Sequence, residues 1–342
     1  MSVVKIVGVG HYCPENAISN DQLSNLVDTS HEWIVKRTGI YERKISIGEG
    51  TVDLAVKASI NAMEMAKCKP EDIDLIIVAT TSPDRIMPST ACSVQSILGC
   101  KNAAAFDISA ACSGFLYASI IANSLIKNGE GSKALVIGSE VLSRIVDWND
   151  RNTCVLFGDG AGAAILEVST DDSRIISTYF GSDGKTGTKA LTANQFPIKT
   201  PFADASLERE EYIQMNGREV FKFAISIIPK VVNKLLDDSC EDISNIKYII
   251  PHQANLRIID DAAKKLNISK DKFYVNLDSY GNTSAASVPI AFSEVIEKGL
   301  IKKGDKIILV AFGGGLTWAG ILLEWKYLLI YKMKLKFRNK KS

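Results

Sequence analysis

An α/β protein made of two copies of one unit is what this sequence predicts, and three observations predict it. Runs of the fully buried strand type, such as DLIIVAT at 74–80 and KALVIG at 133–138, alternate with helical stretches. Segments of the first half also recur in the second at near-constant spacing. EDI at 71–73 returns at 241–243, and the helix-ending pair Ile126/Gly129 returns as Ile296/Gly299 at the identical offset. LII at 75–77 returns as YII at 248–250, and Lys133–Ile137 as Lys306–Val310, these two sharing a slightly longer offset. Finally, 342 residues of which 46% are hydrophobic provide for one large or two ordinary cores. Together these predict mainly parallel sheets covered by helices, in two duplicated halves about a pseudo-twofold axis.

In chain order, Val3–Gly10 reads as a first strand and Asn20–Val27 as a short helix. The segment 28–44, DTSHEWIVKRTGIYERK, crowds Trp33, Arg37 and Arg43 together. It reads either as a face for a stacked base and phosphates or as an ordinary amphipathic surface segment. Residues 51–66 carry an apolar stripe at helical spacing (Leu54, Ala55, Ala58, Ala62, Met65), SPDRIMPST is a loop, and Ala91–Leu98 is a short helix. Residues 155–168, VLFGDGAGAAILEV, read as two strand-like runs about a glycine-rich turn. No GK[ST] follows, so close backbone packing rather than a phosphate cradle explains the glycines. The boundaries that result are a first half at 1–170, a polar excursion at 171–211, a second half at 212–325 and a basic tail at 326–342.

Composition excludes several classes. The net charge of +1 gives no general case for nucleic acid, and seven of the basic residues fall in the tail, so residues 1–325 carry 33 basic and 39 acidic groups. Seven scattered cysteines without a CxxC pair argue against a disulfide framework or a zinc site and for a reducing cytoplasm. The N-terminus lacks the pattern of a signal peptide, and no apolar run reaches the roughly 18 residues of a membrane span.

The stretch 103–129, AAAFDISAACSGFLYASIIANSLIKNG, carries the chemistry. A strand at Ala104–Ile108 leads through a turn of small residues and Cys112 into a helix with no charge from Ser113 to Ile126, hence a buried one. Cys112 at a helix start is either a thiolate nucleophile, favoured by the unpaired N–H groups there, or a small buried hydrophobe. The shorter offset pairs Cys112 with Asn282 in YGNTSAASVP, and the longer one pairs Ala79 with His252 in IIPHQANLRI. Reactive and polar groups thus gather at the carboxyl ends of central strands, where such sheets bind ligands.

The motifs DISAACSGF, PHQANLRI, GNTSAASVP and FGGGLTW resemble those of the β-ketoacyl-acyl-carrier-protein synthase III family, from about Lys5 to Trp325. That resemblance implies a thiolase-like fold, five-layered αβαβα, and a homodimer. It implies an acyltransferase that condenses an acyl-CoA primer, acetyl or another short acyl, with malonyl-acyl carrier protein and initiates type II fatty-acid synthesis. Acyl-CoA is then a substrate, and no cofactor or metal is expected. By the same resemblance Cys112, His252 and Asn282 are catalytic, and the N–H groups of Cys112 and Gly314 form the oxyanion hole. Thr29, Trp33, Arg37 and Arg151 line the path of CoA. Met87, Leu142 and Phe157 border the acyl pocket, and Lys222, Arg257, Lys264 and Lys265 match a carrier-protein docking patch, a role that competes with that of a solvated charged face. The same-fold alternative is an acyltransferase or condensing enzyme of secondary metabolism. The tail departs from the family. Its alternation at Tyr331–Arg338 fits an extra edge strand, its composition a disordered basic segment, and contact with anionic membrane or carrier protein is a further reading.

Overall fold

The computed structural model describes residues 3–169, 174–193, 201–202 and 211–325. The tail and much of the excursion, with the expectations attached to them, lie outside the described residues.

The first sheet contains strands β1 (Val4–Tyr12), β2 (Leu75–Ala79), β3 (Ala104–Ile108), β4 (Lys133–Val141) and β5 (Asp159–Val168), in the order β1-β5-β4-β2-β3. The second contains β6 (Ile175–Ser182), β7 (Ile246–Pro251), β8 (Lys306–Gly313) and β9 (Thr317–Glu324), in the order β7-β8-β9-β6. Both have parallel pairing at one side (β3/β2/β4, β7/β8) and an antiparallel arm at the other (β4/β5/β1, β8/β9/β6). The expected mainly parallel sheets are therefore mixed. The arm strands β8 and β9 are joined by a tight turn, which permits only antiparallel pairing.

Seven helices are used below: α1 (His31–Thr38), α2 (Thr51–Ala66), α3 (Thr90–Leu98), α4 (Gly114–Lys127), α5 (Gly217–Ser239), α6 (Leu256–Leu266) and α7 (Ser287–Glu297). The uncharged helix α4 and its counterpart α7 lie between the sheets. There Phe115, Leu116 and Ile120 of one and Phe292 and Val295 of the other share a core with Ile77 and Val136 of the first sheet and Leu309 and Ile321 of the second. Helices α2 and α3 cover the outer face of the first sheet, and α5 and α6 that of the second. The result is five layers, αβαβα.

Two details differ from the sequence reading. Residues 159–168 form one continuous strand rather than two runs about a turn. Its glycines allow close packing, as a Cβ at Gly162 would stand 2.6 Å from Pro289 at the head of α7. The second difference concerns the repeat. Ala111 (φ 45°) and Ser284 (φ 48°) occupy equivalent left-handed positions, followed by one 3₁₀ turn each and then by α4 and α7. The helix starts Gly114 and Ser287 keep the longer offset, whereas the helix ends Lys127 and Glu297 keep the shorter one, because α7 is 11 residues long and α4 is 14. Cys112 is thus equivalent to Ala285, and Asn282 to Ser109, which corrects the pairing of Cys112 with Asn282.

Candidate active site

Cys112 lies in the 3₁₀ turn Ala111–Ser113, one step ahead of α4, and is 7% exposed. The turn is tied to the loop after β8. Thr317 Oγ1 donates to the carbonyl of Ala110 at 3.0 Å and stands 2.7 Å from Ser113 Oγ. Gly313 closes against the backbone of Cys112, since a Cβ there would be 2.6 Å from Cys112 N. Gly314 follows and lines the same cavity as Cys112.

Two cavities meet at the sulfur. The larger, about 800 Å³, is bounded by Thr81, Ser82, Ile108, Ile145 and Ser284 among others. The smaller, about 130 Å³, is bounded by Met215, Val220, Phe221, His252, Asn255 and Asn282 among others. Cys112, Phe157 and Leu191 line both.

His252 follows β7, and its N–H donates to the Val310 carbonyl at 2.8 Å. Its ring packs edge-on against Phe312, and Nδ1 lies 2.7 Å from Ser287 Oγ. Ser287 Oγ also accepts from Gln253 N–H at 3.4 Å, which leaves its own proton for Nδ1. That assigns the ring proton to Nε2 in the neutral imidazole, and burial keeps the imidazole neutral by pushing its pKa down to about 3. Asn282 is fixed similarly. Its backbone bridges Phe157, with N donating to Leu156 O at 2.8 Å and O accepting from Gly158 N at 3.0 Å. Its Oδ1 accepts from Ser284 N–H at 2.9 Å, so the amide nitrogen is the end left to donate elsewhere.

Burial pushes the Cys112 thiol up to about 12, with Glu140 adding to the rise and Ser284 opposing it. The expectation of a lowered thiol pKa from the helix start is therefore corrected. The 3₁₀ turn sets Cys112 ahead of the α-helical N–H groups, and desolvation of the charged sulfur outweighs them.

The remaining predicted residues divide. Trp33 carries the Arg37 guanidinium at 4.1 Å from its ring centre and that of Arg151 at 5.2 Å. Arg151 Nη1 also donates to the Asp28 carbonyl at 2.7 Å. Thr29 has a buried hydroxyl without a partner. None of these four lines either cavity, but Asn255 of the smaller cavity donates to the Arg37 carbonyl at 2.9 Å. Arg43, grouped with them by sequence, is instead fully buried and supports the wall through the carbonyls of Ile18 and Val155 and through Asn20 Oδ1. Of the three acyl-pocket residues only Phe157 lines a cavity. Leu142 is buried beside it, and Met87 is 85% exposed. Lys222 on α5 and Arg257, Lys264 and Lys265 on α6 lie on neighbouring helices. Lys222 pairs with Glu219 and Lys264 with Asp261, both at 3.3 Å, Lys265 donates to Ile225 O at 2.9 Å, and Arg257 stacks over Phe221, which lines the smaller cavity.

Sequence reasoning missed Leu191, Ser287, Ser284 and Glu140. The two serines stand inside the quoted GNTSAASVP, but only the fold shows what they face. Gly138 reveals how tightly this region is closed, because a Cβ there would stand 2.3 Å from the Ala285 carbonyl oxygen. Gly138→Ala is expected to cost about 1–3 kcal/mol, read as a lower denaturant midpoint with an unchanged m value.

The family models described as 3-oxoacyl-[acyl-carrier-protein (ACP)] synthase III and its C-terminal part match residues 106–184 and 236–325. Beta-ketoacyl-[acyl-carrier-protein] synthase III of Clostridium acetobutylicum is 54% identical over 325 residues, covering 95% of this chain and 99% of that protein. The protein of the same name from Clostridium beijerinckii is 53% identical, covering 95% and 100%. Among solved structures, 3-oxoacyl-[acyl-carrier-protein] synthase III from Aquifex aeolicus superposes with a TM-score of 0.87 at 48% identity, covering 94% of this chain and 100% of that one. The priming β-ketosynthase of the R1128 polyketide pathway also gives 0.87, at 33% identity, covering 95% and 97%. Fold and relatives define the class as an acyl-transferring condensing enzyme of the thiolase fold. The chain belongs to the β-ketoacyl-[acyl-carrier-protein] synthase III family, whose reaction is the initiating condensation of fatty-acid synthesis.

Among the described residues no group of three or more His, Cys, Asp or Glu is arranged to hold a metal ion, and no helix is long and apolar enough to cross a membrane.

Proposed function

We propose that Cys112 takes the acyl group of a short acyl-CoA primer, acetyl-CoA or a close relative, and that malonyl-acyl carrier protein then condenses with it. The observation that carries this is the sulfur's position where two cavities meet, with His252 and Asn282 in the smaller one. In this reading the smaller cavity admits the pantetheine arm and the larger holds the acyl chain. The N–H groups of Cys112 and Gly314 stabilise the tetrahedral oxyanion. Loss of CO₂ from the malonyl group then leaves an enolate, whose oxygen takes hydrogen bonds from His252 Nε2–H and the Asn282 amide. Two neutral donors suit this step, since a carboxylate in their place would repel the malonyl group. The enolate carbon attacks the acyl-cysteine, and the thiolate departs.

In this reading the adenine of CoA stacks at Trp33, with Arg37 and Arg151 toward its phosphates and Thr29 beside the nucleotide, which the guanidinium contacts of the Trp33 ring support. The basic groups Lys222, Arg257, Lys264 and Lys265 would meet the acidic carrier protein. Their present ion pairs are exposed and exchange at little cost. We assign the two thiolase-like halves to 1–170 and 212–325, joined by 171–211. A homodimer in a reducing cytoplasm completes this reading, the second copy covering the exposed Ile86 and Met87 beside the larger cavity.

Incubation with acyl-CoA and malonyl-carrier protein tests it. A β-ketoacyl product with CO₂ is expected, whereas acyl transfer without CO₂ marks an acyltransferase of another pathway, and free acid marks a hydrolase. For the nucleotide site, Trp33→Ala is expected to raise KM for acyl-CoA about tenfold. KM for acyl-pantetheine, which lacks the nucleotide, should not move. An equal rise for both would remove Trp33 from the nucleotide site.

A further inference from the structure

Gln253 is buried beside His252, and the mechanism above gives it no task. His252, Ala254 and Asn255 line the smaller cavity, whereas Gln253 does not. Its side chain is engaged inside the protein instead. Nε2 donates to the Pro251 carbonyl at 2.8 Å and to the Tyr274 carbonyl at 3.1 Å, and Oε1 accepts from Asn276 N–H at 3.0 Å. Carbonyls only accept and a backbone N–H only donates, so these partners fix which end of the amide is nitrogen. Two of the three bonds tie the His252 loop to residues 274–276. That segment is anchored in turn. Tyr274 N–H donates to Ile249 O at 3.0 Å, next to the bridge between Ile249 and Phe273. Asn276 Nδ2 donates at 2.8 Å to the buried Glu294 of α7, which also receives the hydroxyls of Tyr274 at 3.0 Å and Tyr280 at 2.9 Å. From Asn276 a single helical turn, Leu277–Tyr280, leads through Gly281 to Asn282. The amide of Gln253 therefore joins the loop of His252 to the arm that carries Asn282. Its backbone N–H makes a further link, donating at 3.4 Å to the Ser287 hydroxyl that holds His252 Nδ1.

Two donors that serve one enolate oxygen must keep a fixed separation, because a misplacement of about 1 Å can cost 10²-fold in rate. Asn282 is held by backbone bonds of its own, to Leu156 and Gly158. His252 stands just past the end of β7, an edge strand of its sheet, where the chain turns away. We propose that Gln253 is a positioning residue for the condensation, holding the His252 ring at the distance from Asn282 at which both donate to the enolate oxygen. It acts through His252 and touches neither substrate nor the reacting atoms. The inference rests on the reading of His252 and Asn282 as the enolate donors, and it adds the residue that sets their spacing.

The test measures two half-reactions in single turnovers, acylation by acyl-CoA and CO₂ release from malonyl-carrier protein. It compares wild type, Gln253→Met, His252→Ala and the double variant. Met keeps the length of the side chain and the backbone N–H but loses all three side-chain hydrogen bonds. If His252→Ala leaves CO₂ release unchanged, the assignment of the enolate donors falls, and this proposal with it, whatever Gln253→Met does. With that assignment intact, Gln253→Met is expected to slow CO₂ release by about 10- to 100-fold, while acylation stays within about threefold of wild type. In the His252→Ala background the same substitution should cost less than about threefold, because no ring is left to misplace. A general loosening of the fold would instead slow both half-reactions together and multiply onto His252→Ala. CO₂ release within about threefold of wild type, an equal loss in both half-reactions, or a loss undiminished in the His252→Ala background would overturn the proposal. Should Gln253→Met fail to fold, Gln253→Asn decides by the same readouts, since it keeps a polar amide but is one methylene too short to reach Tyr274 and Asn276 together.

Discussion

Cys112→Ala is expected to lower acyl-enzyme formation from acyl-CoA below about 10⁻⁴ of the wild-type rate, because no other group replaces a positioned nucleophile. The other six cysteines provide the internal control. Cys100 and Cys154 are buried, and their thiols are pushed up to about 11 by desolvation. Cys92 and Cys240 are exposed, so a small alkylating agent should still label them in the variant. Labelling without acylation separates chemical accessibility from catalytic placement at the junction of the cavities. The variant keeps His252 and Asn282 and should still release CO₂ from malonyl-carrier protein. Peptide mapping that finds the acyl group on Cys92 or Cys154 would end the assignment.

The parts of this site that the sequence discloses are those coded by local pattern. The uncharged run after Cys112 specifies a buried helix, and α4 is one. His252 does follow a parallel strand of the second unit, but that strand, β7, lies at the edge of its sheet beside β8 and not at the centre. What stayed hidden depends on neighbours distant along the chain. The repeat was legible, but its register near Cys112 was not, because the change of offset falls inside two helices whose ends match. Glycines 160 and 162 look like a turn until α7 is laid across them. Arg43 looks like a phosphate ligand beside Trp33, yet its guanidinium braces the wall that holds Asn282. Glu140 lies past the strand read at 133–138, and only the fold brings Thr80, Thr81 and Ser82 onto its carboxylate. Desolvation of Cys112 is likewise a sum over many neighbours, so a local helix-start argument reached the wrong sign.

The second large effect divides the reaction in two. Acylation draws on Cys112, its turn and the backbone donors beside it, all of which survive replacement of His252 or Asn282. In the proposed mechanism decarboxylation draws on donors to a developing enolate, and those two side chains are assigned to it. Ser287 fixes the proton of His252 on Nε2, and the Ser284 N–H turns the amide nitrogen of Asn282 away from its own backbone. His252→Ala and Asn282→Ala are therefore each expected to keep measurable self-acylation while losing CO₂ release from malonyl-carrier protein by about 10²–10³, the usual cost of one oxyanion-type donor. Loss of both should not multiply the two factors, since the donors serve a single oxygen. Acyl-enzyme formation by mass and CO₂ release in a single turnover measure the two halves separately. Ser287→Ala gives the matching positional test. Without the hydroxyl, Nδ1 and Nε2 compete for the proton, so CO₂ release should fall by less than in His252→Ala while acylation is unchanged. If His252→Ala instead abolishes acylation and CO₂ release persists, His252 is the base for the thiol, and this division of roles fails.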